Sequence, residues 1–266
     1  ATIEESIALT QAAELHQLVE FHQTFYGAAH GHMAIVGDFD PKEIQPIVEE
    51  ALAGWNSDAS FSRLVNPHFE IPGKKITIET PDKANAYFLT GLNIPLRDDH
   101  EDYPGLVLGN FMLGGGFLSS RLAVRIRQNE GLSYGVGSQF SADPLDKSAQ
   151  FSGYAIYAPE NAESLEAAFV EEVRKVVTEG FSDKEVTEAK FGFVQYQKNL
   201  LSNDRTLAGY LSRRLRIDRT MYWTVELMEK LQALTPKDIQ GAMARHIDPG
   251  NLSIVVAGDF SKETIQ

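Results

Sequence analysis

The sequence contains no cysteine, which excludes disulfides, thiolate zinc sites, iron–sulfur clusters and cysteine nucleophiles. The absence leaves cytoplasm and periplasm both open, with the periplasm slightly favoured, because a chain of 266 residues buries enough core to fold without disulfides. No apolar run approaches the ~18 residues of a membrane span, and no basic-then-apolar leader opens the chain. Basic residues are scarce: 24 Lys and Arg stand against 37 Asp and Glu, a net charge of −13. Such a surface repels phosphate backbones, so nucleic acid is not an expected partner. Also missing is H-E-x-x-H or H-x-x-E-H, the spacings that put zinc ligands on one helix face. His16 and His22 flank Glu20, but six residues on a helix turn about 600°, so their rings point about 120° apart. The loop pair His30-Gly31-His32 has no third ligand in sequence. No Lys-Ser/Thr follows Gly114-Gly115-Gly116, so it is not a phosphate loop, and there is no G-x-S-x-G elbow. The triplet reads as a hinge between two helices.

Hydrophobic residues make up 43% and charged residues 23%, the balance of an ordinary globular protein. Apolar positions from Ile3 to Phe25 recur at helical spacing, and Met33–Val36 reads as a short buried strand. Pro41 opens a helix ending near Gly54. Residues 56–73 hold prolines, asparagines and serines without periodicity and read as linker. Strands are expected at Lys75–Glu79 and Ala86–Ile94, then helix from Tyr103 to the glycine triplet. Ser119 or Ser120 caps a helix to about Asn129. Tyr134–Phe140 and Ala149–Tyr157 read as an antiparallel pair turned at Asp143-Pro144. Helices follow over Glu160–Thr178, from the capping box at Ser182–Glu185, over Asp204–Ile217 and Met221–Ala233, and from Thr235-Pro236. Leu252–Ala257 is a last buried strand.

The two ends of the chain resemble each other. A helix from Leu9-Thr10 to His22 precedes Met33–Val36 and Gly37-Asp38-Phe39. A helix from Leu234-Thr235 to His246 precedes Ile254–Ala257 and Gly258-Asp259-Phe260. Charged helix starts follow both, Asp40-Pro41-Lys42-Glu43 and Ser261-Lys262-Glu263. The repeat predicts a division into residues 1–55, the tail of a preceding unit; 56–74, a linker; and 75–266, a full second unit. With no initiator Met and an opening inside a helix, the chain is expected to be a piece of a longer or processed product.

One pair of residues stands out. Arg127 falls at the last turn of a helix and Tyr134 at the start of a strand. Side by side, a guanidinium and a phenol donate hydrogen bonds to carbonyl oxygens. From spacing alone the plainer reading is preferred, in which Arg127 suits a helix C-terminus and Tyr134 is a half-buried strand residue. Asp98, Asp99 and Glu101 with His100 read as a solvated loop or helix start. An acidic enzyme using Asp98, Asp99 and His100 is a distant rival.

The stretch GGGFLSSRLAVRIRQNEGLSYGVGS resembles the signature of the second, non-metal half of the pitrilysin/insulinase family of zinc peptidases, which includes the mitochondrial processing peptidases. FYGAAHGHMAIVGDFDP and LTPKDIQGAMARHIDPGNLSIVVAGDF are similar to the unit ends of that family, so the resemblance covers nearly the whole chain. It implies an α+β fold: a mixed, mostly antiparallel sheet with helices on one face, built from duplicated units. It also reverses the plainer reading of Arg127 and Tyr134, which match the family's R-x6-Y pair on the substrate-facing side of the chamber. Gly114, Gly115, Gly116 and Phe117 are implied to line the peptide path, with Gly137-Ser138 beside them, and Arg121 to brace its helix against the glycine loop. No catalytic residue and no metal ligand is implied here. Zinc is expected in a partner half, upstream in the same polypeptide or in a separate subunit. The expected partners are that half and a peptide substrate, the latter held by addition to a sheet edge. A catalytically silent scaffold subunit of the same fold is the alternative.

Overall fold

A computed structural model describes residues 1–261, as two compact units. The first comprises Ala1–Leu64 with Asn203–Asp218, and the second Val65–Ser202 with the chain from Arg219 on. Lys262 and Glu263, part of the expected last helix start, lie outside the described residues.

The first unit holds α1 (Ile3–Ala12), α2 (Leu15–Phe25), α3 (Pro41–Leu52) and α7 (Asp204–Arg216). The single helix expected over Ile3–Phe25 is two. Ala13 and Glu14 are extended, and Glu14 opens α2 through a reciprocal capping box with Gln17. Met33–Val36 is not a strand: it has no ladder partner among the described residues, and Met33 and Ile35 are about half exposed. An extended segment becomes a strand only when a neighbour takes its backbone hydrogen bonds. The matching run Ile254–Ala257 has two such neighbours.

The second unit carries one sheet: β1 (Lys75–Glu79), β2 (Ala86–Ile94), β3 (Ser133–Ala142), β4 (Ala149–Tyr157) and β5 (Ser253–Gly258). The order is β1-β5-β2-β4-β3, with β1 parallel to β5 and the other pairings antiparallel. β3 and β1 are its edges. Burial alternates along β2 and β4 with period two, so each strand has a core face and an open face.

The core face is covered by α4 (Tyr103–Asn110), α5 (Ala162–Thr178), α6 (Asp183–Leu201), α8 (Tyr222–Ala233) and α9 (Pro236–His246). Capping boxes at Ser182–Glu185 and Thr235–Asp238 start α6 and α9. α5 lies close on β4 because Gly153 has no side chain: a Cβ there would come within 2.2 Å of the Phe169 ring. Phe88 of β2 completes that contact, its ring centroid 4.9 Å from Phe169.

On the open face the register sets residues abreast in rows. One row reads Ile76, Val255, Leu89, Tyr154 and Gly137, and the next Ile78, Ala257, Tyr87, Ile156 and Gly135. Residues 65–73 tie down one end of this sheet. The Asn66 amide donates to Asp146, the Asn93 side chain to the Phe69 carbonyl, and the Gly73 amide to Asn251.

Candidate functional site

Between α4 and β3 the backbone leaves regular helix. A π-helical turn spans Phe111–Gly115, a 3-10 turn Phe117–Ser119, and a π-helical segment Ala123–Asn129. Wide turns of this kind gather at functional sites. The glycine triplet closes the first of them. Gly114 is buried, and a Cβ on it would sit 2.4 Å from the Ser138 amide nitrogen and hydroxyl. The triplet is therefore a close contact with β3 rather than a hinge between two straight helices. Gly115 is exposed, Gly116 half-buried, and Phe117 is 76% exposed with φ of 56°. Ser120, not Ser119, caps the next segment: its Oγ accepts from the Ala123 amide at 3.4 Å and donates to the Phe117 carbonyl at 2.7 Å.

Three arginines follow, and two are committed. The guanidinium of Arg121 donates to Glu185 at 2.7 and 3.0 Å and to the Gly180 carbonyl at 2.9 Å. It also lies 4.6 Å from the Phe181 ring centroid. Those bonds hold the Glu185 carboxyl down at about 2. Arg121 thus braces its helix against the α5–α6 turn, not against the glycine loop. Arg125 donates to Glu130, Glu172 and Glu171 at 2.9, 2.9 and 2.7 Å. Burial pulls its pKa down, and the three glutamates more than offset this and raise it.

Arg127 is exposed and makes no hydrogen bond or ion pair among the described residues. Tyr134 is 63% exposed and equally without a polar partner among them. It is the extra residue of a β-bulge, since Ser133 pairs with Tyr157 and Gly135 with Ile156. The Ser133 hydroxyl fixes the bulge, accepting from the Gly135 amide at 3.0 Å and donating to the Ile156 carbonyl at 2.6 Å. Bulges re-aim side chains and gather beside binding sites.

The acidic loop is committed to structure. Asp98 is bound by Arg219, at 2.8 Å for one of its two bonds, and Asp99 by Arg97. These pairings leave no free acid–base group at Asp98 or Asp99. His100 joins residues far away in sequence: His100, Asp102 and His246 bring their polar atoms within 4.8 Å of one another. Arg245 binds both Asp102 oxygens, the Nε bond being 2.9 Å, and His246 Nε2 lies 2.8 Å away. Arg245, opposed by burial and helped by His246, holds the Asp102 carboxyl at about 2. His100 Nδ1 accepts from the Asp102 amide at 3.1 Å. A cation would have to displace the guanidinium and break that last bond, so this donor set does not fit a zinc ion. It joins the start of α4 to the end of α9. Sequence reasoning missed it because 146 residues separate the two histidines. His16 and His22 share no partner either: His22 stacks 5.8 Å from Trp55, and His16 pairs with Glu14.

Among the described residues no helix is long and apolar enough to cross a membrane. The family described as the Peptidase M16 inactive domain matches residues 13–193. The chain is 24% identical over 208 residues to the Non-peptidase homolog YmxG of Helicobacter pylori, covering 74% of this chain and 45% of that protein. It is 28% identical over 196 residues to an uncharacterized zinc protease of Mycobacterium leprae, covering 70% and 41%. The chain thus spans under half the length of these relatives. A peptidase M16 inactive domain from Pseudomonas fluorescens superposes with a TM-score of 0.77 at 22% identity, over 93% of this chain and 58% of that one. A Helicobacter pylori protease gives 0.75 at 15% identity, over 93% and 60%. The mixed, mostly antiparallel sheet with helices on one face is the fold these structures share. With more than half of its length matched, the chain belongs to the peptidase M16 inactive-domain family.

Proposed function

We propose that this chain is the substrate-holding half of a two-part zinc metallopeptidase. Arg127 and Tyr134 donate hydrogen bonds to backbone carbonyls of an extended peptide. Gly115, Gly116 and Phe117 flank its path; the buried Gly114 supports that loop from beneath. The peptide adds to the β3 edge beside the bulge, where main-chain hydrogen bonds supply affinity without regard to sequence. Hydrolysis belongs to a zinc-bearing half, upstream in the same polypeptide or in a separate subunit. Residues 1–55 are then the tail of a preceding unit.

One observation carries this reading. Of three arginines on one short segment, Arg121 and Arg125 are tied to acids and Arg127 is left free, with the unpartnered Tyr134 following on a bulge. A guanidinium and a phenol without polar partners in the protein keep their donors available to carbonyl oxygens of a ligand. In the assembled enzyme, Arg127→Ala and Tyr134→Phe should each cut kcat/KM for an unstructured peptide by tenfold or more. Unchanged turnover in both would refute the assignment.

A second reading is favoured by the relative described as a non-peptidase homolog. In it the chain is a catalytically silent scaffold of the same fold, and the same substitutions leave peptide binding unaltered.

A further inference from the structure

The open face of the sheet carries no charge. β2, β3, β4 and β5 contain no Asp, Glu, Lys or Arg, in a chain where such residues are 23% of the total. β1 has Lys75 and Glu79 at its ends, and both turn to the helix side. Lys75 pairs with Glu166 of α5 at 2.8 Å, and Glu79 accepts from the Phe260 and Ser261 amides. The uncovered face of an antiparallel sheet is ordinarily polar. Here Ile78, Tyr87, Leu89 and Tyr154 are about half exposed in adjoining rows.

These rows end beside Tyr134. At β3 they reach Gly135, the residue after Tyr134, and Gly137, two positions further along the strand. A Cβ on Gly135 would meet nothing within 4 Å, so the sheet surface there is bare. Gly137 lies under the Tyr154 ring, 3.0 Å from an added Cβ. A peptide paired along the β3 edge can therefore leave it at Gly135, beside the phenol that would orient it, and cross the bare sheet. The side chains of the crossing residues then fall on Ile156 and Tyr154, and beyond them on Tyr87 and Leu89.

We infer that this face selects the substrate: it takes the uncharged, apolar side chains of the extended peptide held by Arg127 and Tyr134. The inference rests on the function proposed above. A second copy of the chain is a poor occupant, because two bodies of net charge −13 repel each other. The exposed apolar residues of these rows are few, Ile76, Ile78, Tyr87, Leu89 and Tyr154, well short of the roughly 20–30 residues a side of a stable interface. A short peptide needs no more.

The test uses the full chain and three fluorescein-labelled dodecapeptides, (GSGX)3 with X as Leu, Ser or Glu, read by fluorescence anisotropy. Serine is the control that matters, since it removes apolar surface without adding charge. The leucine peptide should bind at least tenfold tighter than the serine peptide. Leu89→Glu, or Ile78→Glu as an independent variant, should erase that preference, with circular dichroism and melting temperature unchanged. Arg127→Ala should weaken leucine and serine peptides by the same factor. Equal binding of leucine and serine peptides overturns the inference, as does a preference that survives both glutamate variants. A preference erased by Leu89→Glu beside binding indifferent to Arg127→Ala and Tyr134→Phe upholds the apolar face and refutes the Arg–Tyr reading. Concentration-dependent dimers in sedimentation, abolished by Leu89→Glu without any peptide preference, would assign the face to a second copy and overturn the inference.

Discussion

The junction at Asp102 lends itself to a quantitative test. Its side chain is 8% exposed and joins the first turn of α4 to Arg245 and His246 at the end of α9. Its carboxyl sits at about 2 rather than 3.8, a difference corresponding to roughly 2.5 kcal/mol of stability at neutral pH. Arg245 is 60% exposed, so solvent screening makes that figure an upper value. The folded-state pKa is depressed, so the contribution is complete above about pH 4 and disappears as pH falls through about 2. Asp102→Asn keeps the shape and one acceptor but removes the charge. It should lower stability by about 2 kcal/mol at pH 6 and by almost nothing near pH 2. Urea unfolding followed by Trp223 fluorescence, with Trp55→Phe removing the signal of the other unit, gives both values. A deficit of the same size at pH 6 and pH 2.5 would refute the ionic account, and no deficit at pH 6 would refute the junction altogether.

Two further substitutions probe the packing around the site. Gly153→Ala places a methyl 2.2 Å from the Phe169 ring and should cost about 1–3 kcal/mol by overpacking; a thermal melt matching the parent would show that α5 is not pinned there. Phe117→Gly releases a left-handed backbone at an exposed position and should raise stability by up to about 1 kcal/mol. A loss of stability in the same denaturation assay would mean that contacts of the ring, not strain, dominate at Phe117.

What was legible in the sequence was local or strictly periodic. The starts of α6 and α9 could be read because a capping box and a Thr-Pro N-cap are signals of four residues or fewer. β2 and β4 could be read because period-two alternation tracks a sheet with one buried face. Met33–Val36 and Ile254–Ala257 show where this stops: two similar apolar runs, only one of which has strands on both sides. The π-helical segments at Phe111–Gly115 and Ala123–Asn129 gave no signal, because their apolar spacing reads as ordinary helix. Arg127 and Tyr134 drew their assigned role from the resemblance, since spacing alone favoured the plainer reading, and the commitment of Arg121 and Arg125 to acids of α5 and α6 needed the fold. The His100–Asp102–His246 junction needed the whole fold to exist.

The bulge at Tyr134 also blunts an edge of the kind that favours aggregation. β3 is an edge strand of ten residues with none charged, the kind of edge that recruits other strands without limit. Its ladder is interrupted at Ser133–Gly135, and the Gly114 turn packs against it at Gly137–Ser138. What remains free is a short, twisted length of backbone. A single guest strand can pair along it for a few residues, but a flat stack of sheets finds no straight template to copy.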